Sequence, residues 1–212
     1  MAKTILIIGE SGSGKTTAMR NLDPATTMYI DADGKGLSWK GWRKQYIDKK
    51  NYVNTQDADV VMQALLQASK AEKVKTVVID TLNSLMLQFE MDRIHEKGFQ
   101  KWIDLADGIF KLVIMANRIK REDLTIIFTG HSETITDDAG YTFTRLKTNG
   151  RKLEKIVLES KFNIVLIAKG NQGKYIFETQ ANNSTAKSPM GMFDELEIEN
   201  DITEVLKAME EY

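Results

Sequence analysis

The chain has 212 residues, 42% of them hydrophobic, and a net charge of −1 from 29 basic and 30 acidic side chains. That length supports one substantial core burying roughly two thirds of the extended chain's surface. With no cysteine and two histidines, disulfides, thiol catalysis, cysteine metal sites and a histidine-based zinc cluster are excluded. No signal-peptide pattern and no apolar run approaching about 20 residues is present, so the expectation is a soluble, cytoplasmic protein with no membrane partner.

"KTILIIG" (residues 3–9) is a continuous apolar run too short for a helix, and reads as a buried parallel strand. "SGKTTAMRNL" then reads as the start of a helix that Pro24 ends. "TTMYID" is the next strand. Residues 38–46 form a short helix with Trp39, Trp42 and Tyr46 on one face, either packed inward or open as a base-stacking platform. "NYVNTQ" is a short strand, and residues 57–73 are helical with Val60, Val61, Ala64, Leu65 and Ala68 as the apolar face. "KTVVIDTL" (75–82) is a buried strand ending on Asp80. Helices follow around Leu85 to Met91 and over 99–119, then a strand over 123–131.

Beyond residue 131 the pattern changes. "ETITDDAGYTFTRLKTNG" is polar, with Asp/Gly turns, and reads as a loop or hairpin. A short helix over 151–159 precedes "NIVLIAKGNQGKYIFETQ", two antiparallel strands around an Asn/Gly turn. Asp201 and Glu204 suit the start of a last helix. The expected fold class is α/β: a mainly parallel sheet flanked by helices, plus a C-terminal antiparallel strand pair. The organisation expected is one nucleotide-binding domain over 1–212, with 132–161 as a loop and basic-helix insertion and 185–212 as an acidic tail. Residues 145–161 carry six Lys/Arg against two Glu; residues 194–212 carry eight Asp/Glu against one Lys.

"GESGSGKT" (9–16) fits G-x-x-x-x-G-K-[ST] at every constrained position, between a strand and a helix start. Glycines let backbone N–H groups wrap phosphate oxygens, and the helix start adds its positive end. The candidate nucleotide-binding residues are Gly9, Glu10, Ser11, Gly12, Ser13, Gly14, Lys15, Thr16 and Thr17. Lys15 reaches the β and γ phosphates, and the Thr16 hydroxyl binds Mg²⁺. Asp80, delivered by four apolar residues, is the second candidate for the metal shell; capping the next helix is its plainer use. Ligands of open α/β sheets sit at the carboxyl ends of strands, and Asp31/Asp33, Asp80 and His131 all stand at such ends.

In this order the motifs resemble the RecA-like branch of P-loop ATPases. "GESGSGKT" looks like the family's phosphate loop, "YIDADGKG" like its second core strand, "TVVIDTLNSL" like its magnesium strand and "TIIFTGH" like its sensor strand. The core match covers roughly residues 1–131. The closer likeness is to small bacteriophage RecA-like proteins that accompany single-strand annealing and replication proteins, whose tails contain a segment like "TAKSPMGMF" (185–193). The resemblance implies ATP and Mg²⁺ as cofactors, Asp33 where the family has its water-activating glutamate, and His131 where the bacterial recombinase has a glutamine sensor. It also implies a homo-oligomer, ring or filament, in which a neighbour inserts a basic residue. Asp33 is one methylene shorter than Glu, so binding a metal-shell water or starting a turn remains its alternative use. Asp31 receives no role.

The candidate nucleic-acid surface, for single-stranded DNA, is Arg145, Lys147, Arg151, Lys152 and Lys155. The same residues are candidates for action in trans, with Lys35 and Lys187 as alternatives. A plain solvated helix fits them equally. The leading function is a Mg²⁺-dependent ATPase coupled to single-stranded DNA, with phage recombination or replication proteins as partners. A P-loop kinase of nucleotides or small molecules, with "RIKR" (118–121) as its basic segment, and an ATP-gated scaffold with weak hydrolysis are the alternatives.

Overall fold

The structure, a computed structural model, describes residues 1–212. Its elements run β1 (Lys3–Gly9), β2 (Thr27–Asp31), α1 (Trp42–Gln45), β3 (Tyr52–Asn54), α2 (Ala58–Lys70), β4 (Thr76–Asp80), α3 (Leu82–Asp92) and α4 (Gln100–Arg118). They continue as β5 (Thr125–Thr136), β6 (Thr142–Leu146), α5 (Arg151–Ile156), β7 (Ile164–Asn171), β8 (Lys174–Glu178), β9 (Glu197–Glu199) and α6 (Ile202–Glu211).

One sheet takes the order β3-β2-β4-β5-β1-β7-β8-β9, with β6 paired to the outer part of β5. From β3 to β7 every pairing is parallel; β7–β8 and β8–β9 are antiparallel. The continuous apolar runs have a simple cause. Successive strand residues face opposite sides, and both sides are covered. Leu6 and Ile8 join Ile30, Ile79 and Phe128 in a core under α2, α3 and α4. Ile5 and Ile7 join Tyr29, Val78 and Ile127 in a second core under α6 and the loop that follows β1. The expected fold class holds, a RecA-like P-loop arrangement with an antiparallel C-terminal edge.

Four local expectations change. No α-helix follows the phosphate loop: one 3₁₀ turn, Thr17–Met19, stands there instead. Two β-branched threonines open this segment and Pro24 closes it, which leaves too few residues for a stable helix. Arg20 and Asn21 are drawn into long-range bonds with residues 200 and 201. The helix expected over 38–46 shrinks to α1, entered through Gly41 at φ +86°. Its aromatic residues are packed: Tyr46 is 2% exposed and meets Tyr29 and Trp39 edge-on, while Trp42 lies against Tyr52, so no stacking platform is open. The strand expected over 123–131 runs on to Thr136 and turns back into β6, so the polar stretch is a hairpin. The helix over 151–159 breaks at Val157, φ +50°, into α5 and a 3₁₀ turn, Leu158–Lys161.

The acidic C-terminal segment is folded onto the body. β9 adds to the sheet edge, and α6, capped by Asp201, buries Ile202, Val205 and Met209. No helix is long and apolar enough to cross a membrane.

Candidate nucleotide-binding site

The carboxyl ends of β1, β2, β4 and β5 open on a cleft of about 730 Å³. The loop after β1 forms its floor. Gly12 and Gly14 hold φ of +80° and +93°, conformations that favour glycine. Gly9 has a different constraint: a Cβ there would stand 2.5 Å from the Ala168 carbonyl oxygen. Lys15 is 6% exposed, and its Nζ donates to the Gly9 and Glu10 carbonyls at 2.8 and 2.7 Å. Burial holds its pKa below the ordinary lysine value, against the pull of Asp80 and Asp33. Ser13 Oγ is buried without a partner. Glu10 and Ser11 lie on the exposed rim of the loop, and Thr17 lines the cleft. Because a single 3₁₀ turn follows, this loop relies on its own N–H groups and Lys15 rather than on a full helix end.

Asp80 is 3% exposed. Thr16 Oγ1 and Tyr29 Oη donate to its Oδ2 at 2.8 and 2.7 Å, and Thr129 Oγ1 donates to Oδ1 at 2.5 Å. Burial pushes its pKa up in spite of these donors, the signature of a carboxylate kept dry. One carboxylate beside one hydroxyl suits Mg²⁺, which keeps several waters and takes the rest of its shell from phosphates. No cluster of three or more His, Cys, Asp or Glu that could hold a metal exists, so Thr16 and Asp80 are the candidate protein contribution. The Asp80–Thr81 peptide is cis.

Asp31 and Asp33 separate cleanly. Asp31 is 2% exposed and accepts from the Gly34 and Gly36 N–H groups, both at 2.8 Å, and from Tyr52 Oη at 2.6 Å. It folds the loop 31–36 around itself, which explains the first carboxylate of "YIDADGKG". Asp33 sits half-buried above the phosphate loop. Lys35 Nζ donates to it at 2.8 Å and Ser84 Oγ donates to its other oxygen. Burial raises the Asp33 pKa, but the Lys35 and Ser84 hydrogen bonds outweigh it and hold the carboxyl below its usual range. Lys35 therefore belongs to the cleft, paired with Asp33.

His131 lines the same cleft, half-buried, its pKa lowered first by burial and then by Lys15. Asn83 ties its backbone down. Asn83 Oδ1 accepts from the His131 N–H at 2.7 Å, Asn83 Nδ2 donates to the Lys147 carbonyl at 2.8 Å, and the Lys147 N–H donates to the His131 carbonyl at 2.8 Å. His131 is therefore not the strand end expected of it but the point within β5 where parallel pairing with β1 stops, and one asparagine joins that point to the start of the basic segment.

The remaining candidates do not line the cleft. Arg145 is used within the fold, paired with Glu133 and Glu154 at 2.9 and 2.6 Å. Lys147, whose backbone is part of the Asn83 clasp, and Arg151, Lys152 and Lys155 beyond it in the chain are exposed. Lys187 bridges Val165, half-buried, with burial lowering its pKa. In "RIKR", Arg121 is bound to Asp123 and to carbonyls after α2, including Ala71 and Val74. Sequence reasoning missed Tyr29, Thr129, Ser84 and Asn83, along with the wall formed by Arg20, Tyr175, Glu199 and Asn200. Only the hydroxyl and amide after Asp80 in "DTLNS" carried any signal.

A strand–glycine loop–Lys-Thr phosphate cradle, a buried Asp80 beside it and a β3-β2-β4-β5-β1 parallel order define the RecA-like P-loop ATPase fold. The family model for the AAA domain matches residues 1–190, and the chain belongs to that family. Among solved structures it is similar to the KaiC-like protein of the hyperthermophilic archaeon Pyrococcus horikoshii OT3. Identity is 15%, with 82% of this chain and 76% of that chain covered, at a TM-score of 0.48. No curated protein matches the chain.

Proposed function

We propose that the chain binds ATP with Mg²⁺ in this cleft and hydrolyses its β–γ bond, coupled to single-stranded DNA. Support comes first from the Thr16–Asp80–Lys15 constellation at the phosphate loop. Mg²⁺, held by Thr16 and Asp80, would draw charge from the phosphate oxygens. Lys15 exchanges its two loop carbonyls for phosphate oxygens, and the loop N–H groups stabilise charge as it develops. Asp33, its pKa held low, suits orienting a water better than taking its proton. Phosphoryl transfer relies chiefly on positioning and electrostatics, so this is sufficient for slow turnover. His131 reads the γ-phosphate end from β5.

The DNA step rests on the Asn83 clasp, which makes a shift at His131 a shift at Lys147. Lys147, Arg151, Lys152 and Lys155 then meet the DNA backbone. Self-association and a place beside phage recombination or replication proteins follow from the resemblance of the motifs and the "TAKSPMGMF" segment. The division proposed for the chain is one domain over 1–212. A second reading, an ATP-gated scaffold with weak hydrolysis, is favoured by one observation: Asp33 is tied to both Lys35 and Ser84.

Phosphate release from Mg-ATP, measured with and without single-stranded DNA, tests the proposal. Stimulation of several-fold that weakens as salt rises is expected. Unchanged turnover with DNA sinks the coupling, and ATP binding without turnover leaves the scaffold.

A further inference from the structure

We propose, building on the ATP-binding reading above, that the β8–β9 side of the cleft is the nucleoside subsite, with Tyr175 as the face for the purine base and Asn200 and Glu199 as its polar readers. The phosphate loop sets the direction. Lys15, Thr16, Asp80, Asp33 and His131 occupy the end where phosphates and metal belong. Beyond Thr17 the wall consists of Arg20, Gly173, Tyr175, Glu199 and Asn200, none of which has work in the chemistry.

Tyr175 is a large aromatic residue left 46% exposed beside a polar cleft. Its ring rests on bare backbone. A Cβ on Gly170 would stand 2.6 Å from its Cε1, and a Cβ on Gly14 would stand 3.1 Å from its Cδ1. Gly170 has no left-handed φ to require glycine; room for this ring is what the missing side chain provides. An aromatic ring braced on the phosphate loop and open to the cleft is a stacking face, which any purine can use.

Asn200 is 3% exposed, lines the cleft, and its Nδ2 has no hydrogen-bond partner. An unpaired buried amide destabilises the free protein, and a turn of the side chain that brings Nδ2 to the cleft lets a ring nitrogen of the base supply the missing acceptor. Its amide offers a donor and an acceptor together, the pair that complements the amino group and ring nitrogen of adenine. Glu199 beside it accepts from an exocyclic amine.

The wall is fixed in place. Arg20 Nη1 donates to the Asn200 carbonyl at 2.8 Å, and Arg20 Nη2 lies 3.4 Å from Asp201 and 3.6 Å from Glu199. Asn21 Nδ2 donates to Asp201 at 2.5 Å. A C-terminal segment is thereby anchored to the turn that follows the phosphate loop, and preorganisation of this kind favours affinity.

The test titrates the full chain with Mg-ATP and, separately, with Mg-tripolyphosphate, which has the phosphates and no nucleoside. Tyr175→Ala is expected to weaken ATP binding about 10-fold or more and to leave tripolyphosphate binding unchanged. Tyr175→Phe, which keeps the ring, is expected to bind ATP like the wild type and guards against a folding artefact. Asn200→Ala is expected to narrow the preference for ATP over GTP. Unchanged ATP affinity in Tyr175→Ala, or an equal loss for both ligands, overturns the subsite while leaving the ATP-binding reading intact. An unchanged ATP/GTP preference in Asn200→Ala overturns the polar readers. Wild-type protein that binds neither ligand overturns both the subsite and the reading beneath it.

Discussion

Two walls face each other across the phosphate loop, and they are built by different means. The wall from β2, β4 and β5 collects ionisable groups displaced by burial and by their neighbours: Asp80 upward, Asp33 and His131 downward. Displacement of this kind concentrates where chemistry is done, and at Asp80 it costs stability. The wall from β8 and β9 presents a tyrosine ring, an amide and a strap anchored by Arg20 and Asn21. The first wall suits charge development in a reaction; the second suits holding a ligand still. Substitutions should therefore divide into those that cost turnover and those that cost affinity.

The floor common to both walls gives the largest effect. Lys15→Ala is expected to weaken ATP binding by about 100-fold or more, since it removes a charge-assisted contact to phosphate; equilibrium titration measures it. On the reactive wall, Asp33→Ala should lower turnover by about 100-fold with ATP affinity nearly unchanged, because the group that orients the water is gone. Loss of affinity alone would place Asp33 with the binding wall and erase the contrast.

Asp80→Asn sharpens it differently. Burial raises the Asp80 pKa, so its charged form destabilises the fold at neutral pH, and that cost falls as pH drops toward the folded pKa. The variant should keep or raise the melting temperature while losing Mg-dependent turnover. On the opposite wall, Asp201→Ala removes the α6 cap and the anchor for Asn21. Thermal stability should fall by about 1 kcal/mol, and ATP affinity should fall with kcat retained.

The smallest effect is in pH. The His131 pKa is lowered, so its stability contribution is complete above the ordinary histidine value of about 6.5 and is lost as pH falls below it. Melting curves of His131→Gln between about pH 7 and pH 5 should be flatter than those of the wild type.

The two walls were also unequally legible. Continuous Ile/Val runs announced β1 and β4 because strands buried on both faces have no polar positions, and the glycine spacing announced the loop. Asp80 was legible as the end of such a run. The binding wall had no comparable signal. "EIE" of β9 is three residues long in an acidic stretch, and its place depends on register with β8. Arg20 meets residues 199–201 across 180 positions of chain, a pairing no local pattern carries. β9 and α6 also lie beyond the matched residues 1–190. The helix expected after the loop failed for a related reason: local propensity was weak, and long-range bonds at Arg20 and Asn21 decided the backbone. Asp31 was obscure because two of its partners are the N–H groups of Gly34 and Gly36, which leave no mark in side-chain chemistry, and the third, Tyr52 Oη, comes from another strand.

The central claim is that this cleft turns over ATP through its phosphate loop and the carboxylates beside it. Phosphate release from Mg-ATP by the wild type, Lys15→Ala and Asp33→Ala, with ATP binding measured on the same samples, tests it most directly. Turnover is expected in the wild type, loss of binding and turnover in Lys15→Ala, and binding without turnover in Asp33→Ala. Turnover in Asp33→Ala equal to that of the wild type would contradict it.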